Sequence, residues 1–81
     1  MLESEYQRMV IKRYEADGWY CIKIIKSNKN GIPDLLMLKN GEALFIEVKG
    51  KNTPLEPLQK YRKEELEKKG FKVLIDRCKT I

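Results

Sequence analysis

The dipeptide Asn40-Gly41 stands between two apolar runs, Leu35-Leu36-Met37-Leu38 and Ala43-Leu44-Phe45-Ile46. A two-residue type I′ turn needs positive φ at both central positions, which Asn and Gly tolerate, so the chain is predicted to fold back here into a β-hairpin. With Asn40-Gly41 as the loop, Lys39 faces Glu42, and every pair further down the ladder is set by the same register. Asp34 then lies directly opposite Glu47.

Directly opposed residues hold their Cβ atoms ~4.5–5.5 Å apart, and two like charges there repel unless something neutralises them. Lys49 follows Glu47 by two, so it leaves the strand on the same face, roughly 7–8 Å diagonally from Asp34. A salt bridge among the three explains Lys49 but leaves one negative charge uncompensated. A divalent cation between Asp34 and Glu47 removes the repulsion, and all-oxygen ligation suits Mg²⁺ or Mn²⁺ rather than a soft metal.

Gly31-Ile32-Pro33-Asp34, then Phe45-Ile46-Glu47-Val48-Lys49, then Leu58-Gln59 occur in that order. A Pro-Asp at the head of one strand and a Glu-Val-Lys near the end of the next resembles the PD-(D/E)XK nuclease superfamily. All three blocks together resemble its VRR-NUC family, nearly end to end. The resemblance implies a restriction-endonuclease-like core and a metal-dependent endonuclease that acts on structured or branched DNA, Holliday junctions included. It also implies that the main-chain carbonyl of Val48 faces the metal and that Gln59 approaches the site from the second helix. Lys49 is then expected to orient or activate the attacking water, or to stabilise the transition state. In the family, a glutamate near the start of the first helix completes the metal site, with a glutamine often one turn on. Glu3 with Gln7 fits this pattern and Glu5 is the rival, although acids near a helix N-terminus are also favoured by the macrodipole alone.

Eighty-one residues suffice for one small domain, covering 1–81, with a modest core. Seventeen Lys and Arg against twelve Asp and Glu give a net charge of +5, a balance that favours a polyanionic partner such as DNA. The chain contains no histidine, which excludes imidazole ligation and imidazole acid/base catalysis. Cys21 and Cys78 are too few and too far apart for a zinc site and are expected to be reduced, half-buried thiols. No apolar run is long enough for a signal core or a membrane span, so an intracellular, cytoplasmic location is expected, with no membrane partner and no small-molecule cofactor.

Taken in order, Leu2 to Asp17 reads as a helix, with Leu2, Tyr6, Met9, Val10 and Tyr14 at three- and four-residue spacing and Gly18 closing it. Trp19 to Lys26 reads as a strand buried on much of both faces. The polar loop Ser27 to Gly31 delivers Pro33, which fixes the backbone before Asp34. The hairpin runs to Lys49, with Ala43, Phe45, Glu47 and Lys49 on one face and Leu44, Ile46 and Val48 on the other. A second helix is best started at Pro57, because proline suits the first helical position, and Leu58, Tyr61 and Leu66 form its apolar stripe up to Gly70. Phe71 to Asp76 is a last strand, joined in parallel by a right-handed crossover. Arg77 to Ile81 is expected to be dispensable to the core. The fold class is therefore α/β (α+β), an αβββαβ order with a four-stranded mixed sheet flanked by two helices. Lys26, Lys29, Lys51 and Lys60 are the candidate phosphate contacts.

A non-catalytic module that binds double-stranded nucleic acid is the alternative, since helix, three strands and helix is also the order of a double-stranded-RNA-binding domain. Such a module needs lysines at the start of its second helix, where this chain has Pro57-Leu58-Gln59. A homodimer is expected, because a small core leaves apolar surface to cover and a branched substrate is cut on two strands.

Overall fold

The computed structural model describes residues 1–79. Helix α1 spans Glu3–Ala16, followed by strands β1 (Tyr20–Lys23), β2 (Leu35–Lys39) and β3 (Glu42–Gly50), helix α2 (Pro57–Lys68) and strand β4 (Lys72–Cys78). The strands form one sheet in the order β1-β2-β3-β4, with β1, β2 and β3 antiparallel and β4 parallel to β3. This is the expected α+β order and mixed sheet.

The hairpin turn forms where Asn40-Gly41 demands it. Both residues have positive φ, +51° and +78°, and the register runs from Lys39↔Glu42 to Leu35↔Ile46. Leu44, Ile46 and Val48 of β3 join Leu35 and Met37 of β2 and Val10 of α1 in the core, so α1 covers this face of the sheet. The opposite face carries Phe45, Glu47 and Lys49, in register with Val73, Ile75 and Arg77 of β4.

Four sequence expectations are corrected. Strand β1 ends at Lys23 and is exposed, because it lies at the sheet edge and α1 reaches only one of its faces; Tyr20 is 70% accessible. Leu2 and Met9 are exposed, and Ile11 packs against the core in their place, since the buried stripe of α1 is centred on Val10. Helix α2 has no buried residue, and its Leu58 and Tyr61 are exposed. Arg77 and Cys78 belong to β4, and Cys78 is buried rather than half-buried, so this end is not dispensable. Thr80 and Ile81 lie outside the described residues.

Two further contacts hold the layers together. The Tyr6 hydroxyl donates to Asp76 Oδ1 at 2.5 Å, and Arg13 Nη2 lies 3.6 Å from Asp76 Oδ2, which ties α1 to β4. Asp76 is in register with the core residue Val48, an unusual place for a carboxylate unless a helix supplies its partners.

Candidate active site

The site lies at the end of the sheet where β2 begins and β3 finishes. Pro33 is buried and introduces Asp34, the residue before β2, which falls opposite Glu47 by continuation of the hairpin register. Asp34 is fixed from both sides: its carbonyl accepts the Ile24 N–H at 2.8 Å, and its carboxylate Oδ2 accepts the Val48 N–H at 3.1 Å. Glu47 is 5% and Lys49 8% accessible, so both are buried although both carry ionisable groups.

The electrostatics of the pair follow from this placement. Burial first, then the neighbouring Asp34 charge and a hydrogen bond with Asp34, push the Glu47 carboxyl up to about 8; the Lys49 ammonium opposes the rise and Glu3 adds a little to it. The raised Glu47 carboxyl follows from burying one acid beside another, the arrangement that disfavours a second charge. Among the described residues, no ion pair joins Lys49 to Asp34 or Glu47, so the three are not a closed structural salt bridge.

The predicted site residues are brought together unequally. Asp34, Glu47, Val48 and Lys49 form one cluster. Glu3 sits in the first turn of α1, and its charge acts on Glu47, whereas Glu5 is not among the charges that do. Among the described residues no three acidic, cysteine or histidine side chains form a group that could hold one ion, so Asp34, Glu47 and Glu3 do not make a three-carboxylate set here. Gln59 occupies the third position of α2, where its Oε1 accepts the Glu56 N–H at 2.9 Å as half of a capping box. Its carbonyl oxygen is thus committed to the helix start, which leaves the amide NH₂ to face a ligand. Lys26, Lys29, Lys51 and Lys60 are all exposed.

Sequence reasoning missed two arginines that serve these loops. Arg62 Nε donates to the Asn30 carbonyl at 2.8 Å, and Arg77 Nη1 donates to the Gly50 and Thr53 carbonyls at 3.0 and 2.6 Å. The second Arg77 bond closes the loop after Lys49. Nothing in the local sequence distinguishes these arginines from solvent-facing ones.

The chain matches the VRR-NUC domain over residues 3–78. The chain belongs to the VRR-NUC family. A solved structure described as a VRR-NUC domain superposes with a TM-score of 0.83 at 34% identity, covering 93% of this chain and 83% of that one. A second, a VRR-NUC domain protein, gives 0.79 at 24% identity, covers 95% and 78% of the two chains, and is similar in fold. No curated protein matches the chain. VRR-NUC is a nuclease-type domain, and the blocks that carried the resemblance, Gly31 to Asp34, Phe45 to Lys49 and Leu58-Gln59, all fall within the matched residues.

Proposed function

We propose that this VRR-NUC chain is a metal-dependent DNA endonuclease that acts on branched DNA, Holliday junctions included. The observation that carries the reading is the buried Glu47 set beside the half-buried Asp34, with the buried Lys49 two residues on and, among the described residues, in no ion pair with either carboxylate. Asp34, Glu47 and the Val48 carbonyl would hold Mg²⁺ or Mn²⁺, with Glu3 in support. Bound there, the cation supplies Lewis acidity that activates water and neutralises charge on phosphoryl oxygens.

The chain's own groups do the rest. The Val48 N–H keeps the Asp34 carboxylate aimed at the site. Lys49, buried along its stem, presents its ammonium to the attacking water or to the charge that develops on phosphorus. The Gln59 amide donates from α2. Lys26, Lys29, Lys51 and Lys60 meet backbone phosphates and set the salt dependence of binding.

A homodimer is the working unit in this reading. Its support is the apolar outer face of the β1–β2 half of the sheet, where Tyr20, Ile22 and Leu38 are exposed. Incubating the protein with junction, flap, duplex and single-stranded DNA, with and without Mn²⁺, tests the assignment. Mn²⁺-dependent cutting that is strongest on the junction supports it. Metal-independent binding without cleavage points instead to a double-stranded nucleic-acid-binding module.

A further inference from the structure

Arg62 lies on α2, far along the chain from Asp34, yet it holds the segment that delivers that carboxylate. Its Nε donates to the Asn30 carbonyl at 2.8 Å, four residues before Asp34. Its Nη1 donates to Glu65 Oε1, also at 2.8 Å, so the guanidinium is gripped from within the helix while it grips the loop. The charge of Lys29, the loop residue beside Asn30, acts in turn on Glu65. The Arg62 side chain is only 17% accessible.

The backbone supplies a second, independent contact at the same place. Gly31 has a φ of +84°, and a Cβ there would meet the Cγ, C and O atoms of Leu58 at 2.8, 3.0 and 3.0 Å. The loop is thus pressed directly onto the helix backbone one residue before Ile32-Pro33-Asp34, and Leu58 and Arg62 stand one helical turn apart on the face that receives it. A helix with no buried residue is fastened to the site loop by these contacts.

We propose that Arg62 is a positioning residue for the candidate site: it latches the Asn30-Gly31 turn onto α2 and so sets where the Asp34 carboxylate stands. It acts through the loop backbone and is not a phosphate contact. Planarity matters, because Nε and Nη1 serve two acceptors at a fixed angle, which an ammonium cannot reproduce. The inference rests on the nuclease reading for its consequence in catalysis, but the latch itself is readable without it.

The Val48 amide reports the position of Asp34 directly, because it donates to Oδ2 of that residue. Hydrogen exchange of the metal-free protein, Mn²⁺ affinity by calorimetry without DNA, and the salt dependence of junction binding are measured for wild type, Arg62→Ala and Arg62→Lys. In both variants, Val48 amide exchange is expected to quicken while other β3 amides keep their protection. Mn²⁺ affinity is expected to fall roughly tenfold, the scale seen when partners that orient ligands are removed. The salt slope of DNA binding is expected to stay at the wild-type value, and kcat to fall without a matching rise in KM. An unchanged Val48 amide overturns the proposal. So does a full rescue by Lys, or a salt slope reduced by about one with Mn²⁺ affinity intact, each of which marks Arg62 as a phosphate-binding cation. If wild-type protein neither binds Mn²⁺ nor cuts DNA, the nuclease reading fails, and the Val48 exchange still decides the latch.

Discussion

The backbone N–H of Val48 donates to Oδ2 of Asp34 at 3.1 Å, so the carboxylate at the head of β2 is held by the strand it opposes. The same strand supplies Glu47 and Lys49 on either side of that N–H. One peptide group thereby fixes the mutual placement of three side chains, and a substitution that keeps an acceptor at position 34 keeps the placement while removing a charge.

Asp34→Asn, Glu47→Gln and Lys49→Ala are each expected to lower cleavage by about a hundredfold or more while leaving the fold intact. The two carboxylate changes are also expected to weaken metal binding. Relief of repulsion between opposed acids should stabilise the metal-free protein by roughly 0.5–1 kcal/mol, a rise of a few degrees in Tm for a domain of this size. Nuclease assays and thermal melts check both parts, and wild-type turnover by any one variant removes that residue from the chemistry.

Stability of the metal-free protein should fall as pH rises. Burial first, then Asp34, lifts the folded-state Glu47 carboxyl to about 8, whereas a glutamate in an unfolded chain titrates near ~4.3. Between those values the folded state binds the extra proton, so this contribution is complete below the lower value and is lost as pH climbs through the upper one. Melts from about pH 5 to about pH 8.5 should show a declining Tm, with a flatter profile for Glu47→Gln. Mn²⁺ binding near pH 7 should release about one proton, readable by calorimetry in buffers of different ionisation enthalpy.

Glu3→Gln is expected to reduce activity several-fold more than Glu5→Gln, because Glu3 is the helix acid whose charge acts on Glu47. The same change should lower the pH at which Glu47 titrates, since one of its repulsive neighbours is gone. The reverse ranking transfers the supporting role to Glu5.

Tyr6→Phe should cost about 1–2 kcal/mol by removing the shorter of the two contacts that α1 makes with Asp76 among the described residues. A denaturant titration measures it. An unchanged midpoint would show that the bond joining α1 to β4 is replaced by water.

Sedimentation at micromolar concentration, combined with the product pattern on a cruciform plasmid, tests the homodimer. Dimer mass with coupled double cuts is expected. Monomer mass with nicked circles accumulating contradicts the dimer and leaves the nuclease assignment standing.

Legibility of the sequence varied with the range of the interaction. The hairpin register, the Asp34/Glu47 opposition and the start of α2 at Pro57 depend on turn chemistry and strand alternation, both of which are written locally. The exposure of β1 was not legible, because its apolar residues say nothing about which strand ends at the edge or which face a helix leaves open. The same holds for the loop contacts of Arg62 and Arg77, which go to backbone carbonyls more than twenty residues away and therefore leave no trace in residue type. Gln59 is readable from the Leu58-Gln59 block, but its cap bond with Glu56 depends on where the helix starts.

The Asn40-Gly41 turn closes the end of the hairpin remote from Asp34, and a Cβ on Gly41 would find nothing within 4 Å. The chain can therefore be lengthened there at little thermodynamic cost, since each doubling of a flexible loop adds only about 0.6 kcal/mol of closure entropy. A fluorophore, an affinity peptide or a whole targeting domain attached at this tip would ride on the sheet without touching the end that carries Asp34, Glu47 and Lys49.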